Sequence, residues 1–131
     1  MARDDSKKLS AATLGSGVLQ PRDFCRFSPQ EAMVVPVYGD QDQSVVVWNL
    51  APGQENTVHV HTKNAHAIVV LQGSGAYLRG EAEQAPITAG DCIVVPRGTP
   101  HGIRNTGDAP LSYLAFTTTG ESGYLRGAVG G

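Results

Sequence analysis

Gly53-Gln-Glu-Asn-Thr-Val-His59-Val-His61-Thr-Lys-Asn-Ala-His66-Ala-Ile-Val-Val-Leu-Gln-Gly73 is the stretch whose reading decides the rest. Side chains on a strand alternate with a period of two, so His59 and His61 share one face while Val58 and Val60 take the other. Two imidazoles about 6 to 7 Å apart along one strand can close on a single ion. His66 opens the apolar run Ala67-Ile-Val-Val-Leu71, which reads as the return strand of a hairpin turned by Thr62-Lys-Asn-Ala65. Paired strands lie about 5 Å apart, so His66 comes back beside the first two. The fourth histidine, His101, follows Pro96-Arg-Gly-Thr-Pro100, and all four histidines of the chain therefore fall into one candidate cluster.

Gly53, His59, His61, His66 and Gly73 form one spaced block, and Gly90, Pro96, Gly98, His101 and Asn105 form a second. Together these blocks resemble the two motifs of the cupin superfamily, with one departure: His66 stands where cupins usually carry Glu. The resemblance covers about Leu50 to Asn105. It implies an all-β fold, a double-sheet jelly-roll barrel in a single domain, with one divalent metal held by His59, His61, His66 and His101. The fold by itself says little about the chemistry. Gly98, Pro100 and Asn105 read as the residues that shape the turn presenting His101.

Replacing the carboxylate with His66 changes the charge of the centre. Four neutral imidazoles leave a divalent ion its full +2, which favours an anionic oxygen ligand such as an enolate, a β-diketonate or hydroxide. Imidazole nitrogen suits zinc, nickel and iron and disfavours magnesium and calcium. A closed structural zinc shell of four imidazoles is the alternative. With free imidazoles titrating near 6.5, binding is expected to fail below about that pH.

The chain has 131 residues, enough for one domain with its own core. Sixteen Gly and eight Pro point to many turns and favour the all-β reading. A net charge of -2 without a basic cluster gives no footprint for nucleic acid. The charged start, Met1 to Lys8, leads into no continuous apolar stretch, so no signal peptide and no membrane span are expected, and the cytoplasm is the expected compartment. Cys25 and Cys92 make no disulfide framework. Cys92, at the head of Cys-Ile-Val-Val95, reads as a small core residue, while Cys25 is undecided between surface and interface.

In chain order, residues 1–22 read as an N-terminal arm, flexible or docked on a partner, 23–119 as the barrel and 120–131 as a Gly-rich tail that Tyr124 and Leu125 can anchor. Phe24 to Phe27 and then Met33 to Tyr38 read as an edge strand broken by Pro36, whose exposure leads us to expect a homodimer, as the resemblance to small cupins also does. Ser44 to Leu50, Ala76 to Arg79, Cys92 to Pro96, Gly102 to Asn105 and Leu111 to Thr117 read as further strands. Strand alternation puts Thr57, Ile68, Val70 and Ile103 on the faces of the ligands, and Trp48, Tyr77, Tyr113 and Phe116 are candidates for the mouth. Such a wall is largely apolar and fits an oxygen-bearing, apolar or aromatic small molecule better than a sugar. Arg79 and Arg104 read as solvent-facing, with pairing to an anionic substrate as the alternative, and Glu81 and Glu83 as a solvated hairpin loop. No general acid or base stands out.

The functional expectation is a metal-dependent enzyme of Lewis-acid cyclase or lyase type, as in the four-histidine polyketide cyclase that this ligand set resembles, or a dioxygenase like the histidine-only oxygenases. A non-catalytic metal-binding sensor or carrier, and a sugar isomerase or epimerase, are the alternatives.

Overall fold

The structure is a computed structural model that describes residues 9–10, 17–80, 82–118 and 124–126. Most of the expected N-terminal arm and C-terminal tail, and Glu81, lie outside the described residues. The strands are β1 (Leu9–Ser10), β2 (Met33–Gly39), β3 (Gln43–Leu50), β4 (Glu55–His61), β5 (His66–Gln72), β6 (Ser74–Leu78), β7 (Gln84–Thr88), β8 (Cys92–Val95), β9 (His101–Arg104), β10 (Leu111–Thr118) and β11 (Tyr124–Arg126). They form two sheets, one ordered β1-β2-β3-β10-β5-β8 and the other β11-β4-β9-β6-β7. Apart from the parallel β1–β2 contact, every pairing is antiparallel. The molecule is an all-β, double-sheet jelly-roll barrel.

Alternation sets the two faces of the first sheet. Leu50, Ile68, Val70, Ile93, Val95, Leu111 and Tyr113 point between the sheets and pack with Tyr77, Ile87 and Ile103 from the second. Each such large apolar side chain contributes roughly 1.5–3 kcal/mol on burial. The opposite face carries Val35, Val37 and Val47, which Phe24 covers. Asn49, wholly buried on that face, donates from Nδ2 to the carbonyl of Phe24 (3.2 Å) and accepts from Ser112 Oγ (2.8 Å), which fixes the entering segment to the sheet.

Two local readings change. Phe24 to Phe27 is not a strand: Pro21–Phe24 forms a 3-10 turn, started by the fixed φ of Pro21 and held by burial of Phe24. Cys92 is exposed rather than in the core, because in β8 it is Ile93 and Val95 that face inward. Pro36 does not end β2 but sits beside a register shift between Pro36 and Tyr38.

Turn glycines bring the two histidine segments together. Gly98 has φ +77°, in the left-handed region that favours glycine, and its N–H donates to the carbonyl of His61 (2.9 Å). The loop that leads to His101 is thereby tied to the strand of the first two histidines.

Candidate metal centre

His59 and His61 leave β4 on one face, as their spacing requires, and the antiparallel pairing of β4 with β9 sets His101 directly opposite His59. The ring centroids of His59 and His101 are 4.3 Å apart, and those of His59 and His61 5.1 Å. Donor nitrogens of His59, His61 and His101 all lie within 4.8 Å of one another, close enough for one ion. His66 comes from the other sheet, at the start of β5, with its ring centroid 4.4 Å from that of His61 and 4.8 Å from that of His101. The tight group is thus a triad, with the fourth imidazole against its flank.

The tautomers follow from the backbone. Nδ1 of His59 lies 2.6 Å from the carbonyl of Thr57, and Nδ1 of His101 lies 2.9 Å from that of Thr99. A carbonyl only accepts, so both Nδ1 atoms donate and both Nε2 atoms keep their lone pairs for a ligand bond. Nδ1 of His66 is buried with no hydrogen-bond partner among the described residues. This donor set fits a borderline transition ion better than a hard one.

Burial, with repulsion between neighbouring imidazoles, keeps His61, His66 and His101 neutral. Desolvation first and the charges of His59 and His101 second push His61 down to about 4. Desolvation and then His101, His61 and His59 push His66 down to about 3. Desolvation lowers His101 to about 4 against the opposing hydrogen bond to Thr99.

The histidines line a cavity of about 370 Å³ between the sheets. Trp48, Ile68, Ile103 and Tyr113 of the expected pocket residues line it; the other four do not. Thr57 is exposed, because β4 is bulged: its register against β9 shifts between Asn56 and His59, so the side chain that shares the ligand face is Asn56. Val70 and Tyr77 lie in the packed core beyond the cavity wall, and Phe116 is 40% exposed on the outer face of β10. Asn56 was missed, together with Val34, Val46, Ala115 and Thr117. The only sequence signal for the bulge is Gly102, where a Cβ would come within 2.7 Å of the carbonyl oxygen of Asn56 and 2.8 Å of the nitrogen of Val58. Arg104 pairs with the half-buried Glu55 (2.8 Å) and Arg79 with the exposed Glu83 (3.9 Å), and none of the four lines the cavity. Cys25 is half-buried and packs beside the Phe24 cluster.

The profile of the cupin domain matches residues 46–117, more than half of the chain and all four histidines. The chain belongs to the cupin family. Among solved structures, this cupin is similar to a conserved double-stranded β-helix protein of Klebsiella pneumoniae (28% identity, TM-score 0.80, 86% of this chain and 97% of that one). Among curated relatives it is 37% identical over 65 residues to a gentisate 1,2-dioxygenase of a Ralstonia species, across 50% of this chain but 18% of the dioxygenase. It is also 30% identical over 78 residues to an uncharacterized protein of Methanocaldococcus jannaschii, covering 60% of this chain and 62% of that protein. The chain therefore spans less than two thirds of the curated relatives it first matches. Among the described residues no helix is long and apolar enough to cross a membrane.

Proposed function

We propose that this cupin is a metal-dependent enzyme that takes an oxygen-bearing, largely apolar small organic substrate at a centre formed by His59, His61, His66 and His101. The observation that carries the reading is the pairing of an all-imidazole cluster with a cavity whose remaining wall is mainly apolar and aromatic. A divalent zinc, nickel or iron ion bound there would supply Lewis acidity toward a substrate oxygen, and iron would add dioxygen chemistry. Thr57 and Thr99 carbonyls orient two of the rings, and desolvation keeps His61, His66 and His101 in the neutral form that binds metal. Ile68, Ile103 and Ala115 exclude water from the inner wall, and the Trp48–Tyr113 stack offers a flat face to a planar substrate.

Absence of a carboxylate from the ring cluster favours Lewis-acid cyclase or lyase chemistry, and the likeness to part of a gentisate dioxygenase supports the oxygenase version of the same site. Turnover of aromatic enols and diketones under air and under argon, with the chain loaded in turn with iron, zinc and nickel, separates them. Dioxygen uptake confined to the iron form identifies an oxygenase; anaerobic turnover with zinc or nickel identifies a Lewis-acid enzyme. Binding without turnover in every form would reduce the protein to a metal-binding carrier or sensor. The proposal extends to a homodimer, since β1 pairs with β2 only at Tyr38 and Gly39 among the described residues, and a monomeric mass in sedimentation removes it.

A further inference from the structure

Asn56 and Tyr113 meet inside the cavity from opposite sheets, with the amide Nδ2 donating to the phenol oxygen at 3.0 Å. Because that oxygen accepts from Asn56, the phenol keeps its own proton to give away. Burial raises the pKa of Tyr113, so the proton stays on at any working pH. The pair sits apart from the imidazoles: Asn56 is opposite Ile103 while His59 is opposite His101, a step of about 6 to 7 Å along β9. Beside it, the rings of Trp48 and Tyr113 lie nearly parallel (16°, centroids 6.4 Å apart). Among the described residues no Lys, Arg, Asp or Glu lines the cavity.

We infer that Asn56 and Tyr113 are a specificity pair for a neutral oxygen acceptor, such as a ketone, carried on a planar substrate at the end away from the histidines. A carboxylate or phosphate at that end finds no cation there and has to be desolvated, so the same cavity rejects it. This inference rests on the substrate site proposed above.

The test uses the zinc-loaded full chain and three catechols of one size: 3,4-dihydroxyacetophenone with a neutral acceptor, 4-ethylcatechol with none, and 3,4-dihydroxybenzoate with a charge. Trp48 is the chain's only tryptophan and lines the cavity, so quenching of its emission reads occupancy directly. We expect the ketone to bind about five- to tenfold more tightly than 4-ethylcatechol, and the benzoate to bind more weakly than the ketone. In Tyr113→Phe and in Asn56→Leu the ratio of ketone to ethylcatechol affinity falls to about one. A ratio kept in both variants, or a benzoate that binds tightest, overturns the inference while leaving the site intact. No quenching by any of the three would overturn the site reading itself and this inference with it.

Discussion

His59 and His101 stand as direct partners across β4 and β9, ring centroids 4.3 Å apart, each Nδ1 donating to the carbonyl two residues earlier in its own strand or loop. That relationship aligns two lone pairs before any ion arrives. A preset donor pair lowers the ordering cost of metal binding, as hydrogen bonds that orient ligand imidazoles do generally.

The pH range of the centre follows from its burial. Free imidazoles would release metal below about 6.5, but His61 and His101 are lowered to about 4 and His66 to about 3. Metal should therefore stay bound at about pH 5 and leave as the pH approaches 4, in equilibrium dialysis across the range. Stability of the metal-free chain should follow the same sign. Between the unfolded value of 6.5 and the lowered folded values, the unfolded chain binds more protons, so this contribution is complete above about 6.5 and is lost on acidification toward 4. A melting temperature that rises from pH 6.5 to 4.5 would contradict it.

The triad and the flanking His66 should separate on mutation. His59→Ala, His61→Ala and His101→Ala each remove one of three mutually close donors and should abolish stoichiometric binding, whereas His66→Ala should weaken zinc affinity, by about 10- to 100-fold, without abolishing it. His66→Glu should hold the ion but lower the charge of the centre, so a catechol or enol ligand should bind at least about tenfold more weakly. Equal ligand affinity in that variant would refute the charge argument.

Gly102→Ala should cost about 1–3 kcal/mol in denaturant unfolding, since the new Cβ meets three backbone atoms of the Asn56–Val58 bulge at 2.7–3.0 Å. Zinc affinity should fall with it, because the bulge sets the pairing of His59 with His101. The control is Gly39→Ala, whose Cβ meets nothing within 4 Å and should cost under about 0.5 kcal/mol.

Asn49→Leu should destabilise the fold by roughly 1–3 kcal/mol, because the carbonyl of Phe24 and the hydroxyl of Ser112 lose a buried partner. Proteolysis of the variant should begin in the segment around Phe24. Unchanged protection there would mean that the packing of Phe24 on Val35 and Val47, rather than Asn49, holds the segment.

The histidine strand was legible because its spacing matches the strand period and because turn glycines leave few alternatives around it. The barrel was legible from short β-branched runs cut by Gly and Pro. Alternation failed where the period was broken: the bulge after Asn56 turned Thr57 outward and brought Asn56 in, and a one-residue slip of this kind leaves no mark in composition. Val70 and Tyr77 show a different limit. Period two tells which face a residue takes but not how deep along the barrel it sits, so inward-facing residues divided between cavity and core only in three dimensions. The apolar run of Cys92 reads as core and Phe116 reads as part of the mouth, yet both lie on the outer face of the first sheet, which is itself apolar: Val45, Phe116, Ala67 and Val94 stand side by side in register.

The most direct test of the centre is elemental analysis of the full chain purified without added metal or chelator, beside His101→Ala prepared identically. The account predicts about one zinc, nickel or iron per native chain and loss of that metal in the variant. A native chain without transition metal, or a variant that retains it in full, would contradict a centre built on His59, His61, His66 and His101.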